Sequence, residues 1–316
     1  MTAVLCDELI DVPCALCGSE DSIPVLTTVN DFHLARCLHC DFQFYSPRPH
    51  NEAIEAYYHE EEFYSKVNLT AVEIVMDILS YHKMQPGKLL DIGCGVGALV
   101  YMAEKKGWSA KGVDPSPLAA RLGKEKLGVD IIQSYVNGLD FPDNHFDAVV
   151  LLAVLEHAFD PLEMVRKVWG WLKPGGKIIF STPNLDNLQY HLLAEKAGYS
   201  WFIKEHINHF TIKTHRQMLM QTGFVDPMFH LSGHFSVKRE NGASRLNHTE
   251  SFLRSARKHY SKFMDDISYE MYSMPAGDLN DSQFLDIWMK KVESWGLTSG
   301  EYSLSDAVYV SAEKPA

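Results

Sequence analysis

Residues 88–97 read KLLDIGCGVG, a short apolar run that passes directly into glycines at 93, 95 and 97. A strand this apolar must be covered on both faces. The glycines let the backbone turn sharply into the next segment, ALVYMAEKKG, which has helical character and is closed by Gly107. The alternation then continues. AKGVD reads as a strand and PLAARLGKEKLG as a helix. VDIIQS and FDAVVLLAVLEH read as strands, and PLEMVRKVWGWLK as a helix stopped by Pro174-Gly175-Gly176. KIIFSTPN is a further strand, followed by a helix over 211–224, the strand FVDPMFHL and a last strand, AVYVSAEK. This β-α-β order predicts a parallel sheet with helices on both faces. Such sheets bind ligands outside the carboxyl ends of their strands, so the polar residues just after each strand are the candidates.

The glycine loop alone is ambiguous, because Gly93, Gly95 and Ala98 also satisfy the G-x-G-x-x-A dinucleotide pattern. Asp91 at the mouth of the loop is awkward beside a pyrophosphate. It suits a ligand that carries an ammonium and a sulfonium. Asp114 ends the second strand, 23 residues after Asp91. An acid there can accept hydrogen bonds from two ribose hydroxyls, which serves either kind of nucleoside ligand.

Two C-x-x-C pairs, Cys14/Cys17 and Cys37/Cys40, stand 19 residues apart. Two turns of this kind present four thiolates to one tetrahedral Zn²⁺, as in a zinc ribbon. The ligand set is full, so this zinc is expected to be structural. The competing reading is a pair of disulfides, which a reducing compartment disfavours.

The chain has 316 residues, 46% hydrophobic and 22% charged, the mix of a globular protein with a sizeable core. No run approaches the ~18 apolar residues of a membrane span. The acids in MTAVLCDELIDVP do not suit a signal peptide, and a cytoplasmic location is expected. Twenty-nine basic side chains against 41 acids give a net charge of −12. That field opposes a nucleic-acid partner and does not oppose a cationic cofactor. Residues 1–46 read as a zinc-ribbon module, with Pro47 and Pro49 after it. Residues 47–87 read as a linking helical segment, with Ile54, Tyr57, Tyr58, Val72, Val75, Ile78 and Leu79 at helical spacing. Residues 88–316 form the α/β domain. It carries an insertion at about 245–300 whose apolar positions, from Phe252 to Trp295, predict an αα-hairpin, with a lid or an oligomer surface as the functional alternative.

LLDIGCGVG, VDPSP, FPDNHFDAVVLLAVLEH, LKPGGKIIFSTPN and EHINHFT…MLMQTGF, in that order, resemble the motifs of class I S-adenosylmethionine-dependent methyltransferases. The similarity is greatest to the branch with an N-terminal zinc ribbon, a YSPRP-like segment and a tyrosine-rich helix. It covers roughly residues 14–235 and the last strand. The resemblance implies a Rossmann-like seven-stranded sheet with its last strand antiparallel. It implies S-adenosylmethionine as cofactor, with Asp91, Gly93, Gly95 and Gly97 around its methionine part and Asp114 on its ribose. The residues after the third strand would line the adenine. Many relatives have an acid there, and this chain has Ser134-Tyr135-Val136-Asn137, so Tyr135 or backbone takes its place. Leu152-Ala153 and Glu156-His157 would border the reacting methyl, and a segment over the cofactor site would come from 47–87.

Three histidines are candidates for the catalytic machinery. His157 follows the fourth strand, and an imidazole suits a base at neutral pH. His206 and His209 lie in EHINHF, between the fifth strand and the next helix, where acceptor pockets of the class are often built. Helix capping at Thr211, or a metal site using Glu205, are the other readings of that segment. The reaction expected is O-methylation of a small polar acceptor such as a sugar, glycan or secondary metabolite. The alternatives are an RNA methyltransferase reading RNA with its ribbon, a non-catalytic cofactor-binding scaffold and, disfavoured by Asp91, a nicotinamide oxidoreductase.

Overall fold

The computed structural model describes residues 9–27, 33–50, 68–187, 205–230, 234–240, 243–248, 300–303 and 307–316. The chain divides into two compact units, one of residues 1–183, 200–229 and 308–316, the other of 184–199 and 230–307. The first opens with β1 (Leu9–Ile10), β2 (Ser22–Thr27), β3 (His33–Cys37), β4 (Gln43–Tyr45) and β5 (Arg48–Pro49). β2, β3 and β4 form an antiparallel meander, and β1 pairs antiparallel with β5. The α/β body follows: α1 (Leu69–Tyr81), β6 (Lys88–Ile92), α2 (Ala98–Lys105), β7 (Ser109–Asp114), α3 (Pro117–Leu127), β8 (Ile131–Gln133), β9 (Phe146–Leu152), α4 (Pro161–Trp171) and β10 (Leu172–Pro183). Then come β11 (Asn208–His209), α5 (Ile212–Gln221) and β12 (Val225–His230). The second unit contains the antiparallel sheet of β13 (His234–Glu240), β14 (Ala243–His248) and β15 (Gly300–Ser303). β16 (Ala307–Glu313) then returns to the body.

The body is one seven-stranded sheet in the order β12-β16-β10-β9-β6-β7-β8. β8, β7, β6, β9 and β10 are parallel neighbours. The N–H of Gly175 donates to the carbonyl of Lys314, and the N–H of Lys314 donates to the carbonyl of Gly176. The start of β10 therefore lies beside the end of β16, which runs antiparallel as expected. The apolar runs explain the sheet's position: Leu89, Leu90, Ile92, Val149, Val150 and Leu151 are all buried. On one face Val72, Val75, Ile78 and Leu79 of α1 pack with Leu99, Ala103, Leu89, Val150 and Ile179. Strand order reverses where β6 lies between β7 and β9, the place where such sheets leave a crevice.

The helices start where the sequence chemistry puts them. The Asn68 carboxamide accepts from the N–H of Ala71, the Ser116 hydroxyl from Ala119 and the Asp160 carboxylate from Glu163. Pro117 and Pro161 occupy first-turn positions that need no donor. Thr211 and Thr214 form a reciprocal cap on α5, in line with the capping reading of that segment. The end of α4 differs from expectation. The helix stops at Trp171, and Pro174-Gly175-Gly176 lie inside β10, where the register with β9 shifts between Leu172 and Lys177. A long-range contact explains this. The buried Lys314 ammonium donates to the carbonyls of Trp169 and Leu172 at 2.9 and 2.8 Å, so the last turn of α4 is terminated by a residue from the far end of the chain.

The ribbon is also less separate than a module over 1–46 suggests. β11 pairs antiparallel with β4, His209 opposite Gln43, so the segment before α5 extends the ribbon sheet. Phe210 packs against Phe42 at 5.0 Å between ring centroids. The helical reading of 245–300 gives way at both ends, where residues 245–248 belong to β14 and Gly300 opens β15, because these segments pair with β13. The interior of that insertion, and the 51–67 part of the linking segment with Tyr57, Tyr58 and Tyr64, lie outside the described residues. Among the described residues, no helix is long and apolar enough to cross a membrane.

His215 on α5 is fully buried, bonded through Nε2 to the Thr182 hydroxyl at 3.0 Å and stacked on Phe210. Burial lowers its pKa from 6.5 to about 3, and burial does the same to His209. Between pH 6.5 and 3 the unfolded chain takes up protons that these folded imidazoles do not. Their stability contribution is whole above pH 6.5 and is lost as pH falls, by about 1.4 kcal/mol per pH unit for each group. Urea unfolding between about pH 7 and 5 should show stability falling with acid. His215→Gln should flatten that slope by the equivalent of about one proton, and an unchanged slope would contradict the assignment.

Candidate active site

The loop after β6 is held by Asp114 at the end of β7. One carboxylate oxygen accepts from the N–H of Gly95 at 2.9 Å, the other from the N–H of Ser116 at 3.0 Å. Gly93 and Cys94 donate to the carbonyl of Val113. Gly93, Gly95 and Gly97 all have positive φ, the region that favours glycine. A Cβ at Gly93 would meet the Val154 side chain at 2.6 Å, and one at Gly97 would meet Val129 at 2.9 Å. At Gly95 no atom of the described residues lies within 4 Å of such a Cβ. The N-terminus of α2, at Gly97, has no side-chain cap.

Asp91 and Asp114 are buried at 3% and 4% exposure. Burial, and secondarily the charge on Asp114, push the Asp91 carboxyl well above its ordinary range. Two buried carboxylates beside a glycine turn form a cradle that a cation would relieve and a diphosphate would aggravate. The arrangement fits the positively charged amino-acid end of S-adenosylmethionine, with Asp114 placed beside the loop as a ribose partner requires. Tyr135, exposed, stands just after β8 where the adenine was expected, and the N–H of Ser134 beside it donates to the Asp114 carbonyl. Ala153, after β9, has φ of 53°, an uncommon conformation for a residue with a side chain. Its N–H is fixed by the carbonyl and hydroxyl of Ser181, both at 3.2 Å.

The short turn Leu155–His157 after Ala153 carries two titratable groups. Glu156 is 1% exposed, and its Oε2 has no hydrogen-bond partner among the described residues. Burial raises its carboxyl to about 8. His157 bonds through Nδ1 to the carbonyl of Glu205 at 2.9 Å, and burial holds the imidazole down at about 4, so it is neutral at pH 7. The His206 ring meets the His157 ring edge-on, 4.8 Å between centroids. The turn and the EHINHF segment are tied together by Asn208, whose carboxamide donates to the carbonyls of Leu155 and Ala158. His209, three residues beyond His206, instead packs edge-on against Tyr45 of the ribbon at 5.0 Å. The structure brings His157 and His206 together and puts His209 in the ribbon sheet.

The four ribbon cysteines converge. Cys14 and Cys40 lie 3.5 Å apart between sulfurs, as do Cys17 and Cys37, and none is in a disulfide. Contact with Cys40 lowers Cys14 to about 5, and the same contact raises Cys40, so a first proton leaves the pair readily and the second is retained. Sulfurs on a tetrahedral zinc stand about 3.8 Å apart, close to the spacing here. The donor set fits zinc.

Two features escaped the sequence reading. Glu156 was visible as the neighbour of His157, but nothing in the sequence marks its carboxyl as sealed from solvent. A cavity of about 620 Å³ also lies beside the first cysteine turn, lined among others by Tyr45, Arg48, Phe159, Arg166 and Asn208. Arg48 is buried with its guanidinium 5.1 Å above the Phe159 ring, and burial lowers it to about 10. Its lining comes from segments far apart in the chain, from the first cysteine turn to α4 and the EHINHF segment, so no local signal announces it.

A family model described as "Methyltransferase domain" matches residues 63–226, more than half of the chain. Phosphoethanolamine N-methyltransferase 1 of Arabidopsis thaliana is 24% identical over 242 residues, 73% of this chain and 45% of that protein. Ubiquinone biosynthesis O-methyltransferase of Pseudomonas entomophila (strain L48) is 36% identical over 119 residues, 35% of this chain and 51% of that one. The chain spans about half the length of these curated relatives. A SAM dependent methyltransferase from Archaeoglobus fulgidus matches at a TM-score of 0.51 and 17% identity, over 80% of this chain and 97% of that one, and shows the same fold.

Asp114→Ala removes the acceptor of two loop N–H groups together with the carboxylate itself. Calorimetric titration with S-adenosylmethionine should show binding weakened by about 1–3 kcal/mol, and an unchanged affinity would count against this cradle.

Proposed function

The chain belongs to the class I S-adenosylmethionine-dependent methyltransferases, and from that premise we propose that it methylates an oxygen of a small polar acceptor, such as a sugar, a glycan or a secondary metabolite. One observation carries the reading: beside the acidic glycine cradle, the chain sets two imidazoles, His157 and His206, against each other after β9. A hydroxyl acceptor must lose a proton during the transfer, and a neutral imidazole can take it. The net charge of −12 disfavours a nucleic-acid acceptor.

Bound S-adenosylmethionine supplies a methyl group already activated on a sulfonium. The residues of this chain then have three tasks. Asp91, with Gly93, Gly95 and Gly97, holds the cationic methionine end, and Asp114 holds the ribose hydroxyls. Tyr135 and the backbone beside it border the adenine. Ala153, in its uncommon backbone conformation at the end of β9, would border the reacting methyl without a side chain beyond Cβ. His157 is held in one tautomer by the Glu205 carbonyl, which leaves Nε2 as its lone-pair nitrogen. His206 faces it, and His209 acts from behind by holding the EHINHF segment on the ribbon. Positioning of this kind supplies much of the rate when the donor is already activated.

The ribbon reading is part of the proposal. Cys14, Cys17, Cys37 and Cys40 hold one structural zinc that braces the turns against β4 and, through it, β11. Cys37→Ser with Cys40→Ser should remove that zinc by elemental analysis and lower the thermal midpoint. Retention of the ion would refute the ribbon assignment. The reaction itself is tested with labelled methyl donor against hydroxylated sugars, phenols and phosphoethanolamine. Methyl ethers are the expected products. N-methylated phosphoethanolamine as the sole product would replace the oxygen reading, and binding of the donor without turnover on cell extracts would favour a non-catalytic scaffold.

A further inference from the structure

We propose that Glu156, His157 and His206 form a second metal site, for a divalent ion of the zinc or ferrous type, separate from the four cysteines. One ligand atom from each of the three side chains lies within 4.8 Å of the others. Three further features point the same way. The Glu156 side chain is 1% exposed and its Oε2 has no hydrogen-bond partner among the described residues, a costly state that an ion would end. The Nδ1–H of His157 is committed to the Glu205 carbonyl at 2.9 Å, which leaves Nε2 as the donor atom. Metal-binding histidines are oriented by such a bond on the other ring nitrogen. The Asn208 carboxamide pins the two backbone segments together by bonding Leu155 and Ala158, so the cluster sits on braced elements.

The donor set decides the class of ion. Two imidazoles and one carboxylate suit zinc or ferrous iron, whereas magnesium and calcium want oxygen donors throughout. Nitrogens on a tetrahedral ion at about 2.0–2.1 Å stand about 3.3 Å apart, so the cluster contracts when it loads. Three protein ligands leave a fourth position open, unlike the ribbon, whose four thiolates fill the sphere. In the loaded site the ion takes over the imidazoles' part: an acceptor oxygen bound there would have its proton made more acidic, and the lone pair of His157 Nε2 serves as the base only while the ion is absent. That last consequence rests on the proposed acceptor site; the ion site does not.

The full-length chain, stripped with chelator and titrated with Zn²⁺ or Co²⁺, should bind two ions. The cobalt form should show a thiolate charge-transfer band for the ribbon and weaker visible bands for the nitrogen–oxygen site. Glu156→Gln and His206→Ala, each checked by circular dichroism, should bind one ion and keep the thiolate band. A wild type that saturates at one ion, or variants that still take two, would overturn the site. S-adenosylmethionine affinity, measured in parallel by calorimetry, separates this outcome from failure of the methyltransferase reading: retained affinity with one ion sinks only the second site.

Discussion

Asp114 accepting the N–H groups of Gly95 and Ser116 is the contact on which the ligand end of the sheet depends. It ties the loop after β6 to the end of β7 and starts α3 with Ser116 as its cap. The same carboxylate stands near Asp91, so closing the loop places two buried acids in one small volume. A structure selected for stability alone has little use for that repulsion. The cost is understandable if a cationic ligand completes the site, and strain at a functional position is the usual form such a cost takes. Neither Asp91 nor the glycines would specify the ligand without the other, since the turn alone also suits a dinucleotide.

The second organising contact is between the ribbon and the body. β11 joins the ribbon sheet through β4, while three residues earlier His206 faces His157 at the end of β9. The EHINHF segment therefore has two partners, and each turn of chemistry along it is held by a different one. Asn208 is the pivot: its backbone lies opposite Phe44 and its carboxamide holds the turn after β9. The four-cysteine cluster is joined to that pivot through the same sheet.

The parallel sheet, the helix starts and the glycine cradle were legible because each follows from short-range chemistry. Apolar runs such as LLDI and AVVLL, proline at first-turn positions and side-chain caps at Asn68, Ser116 and Asp160 act over a few residues. The four-cysteine cluster was legible because ligand spacing reports a turn geometry directly. The end of α4 was not. Pro174-Gly175-Gly176 looks like a helix stop, yet the helix ends earlier, under a lysine 143 residues beyond Trp171 in the chain. The roles of the three histidines were equally hidden, because all three have the same local chemistry and differ only in what packs against them.

The order of residues by itself determined that this chain builds a doubly covered parallel sheet, places two acids beside a glycine turn and brings four thiols to one point. Those outcomes rest on periodicity, turn chemistry and spacing, which are local. Only the tertiary structure decided that His157 meets His206 while His209 meets Tyr45, that Glu156 is sealed beside them, and that the ribbon shares a sheet with the body. Burial and pairing across distant segments set the charge state and orientation of a side chain, and no local pattern encodes which distant segment will arrive.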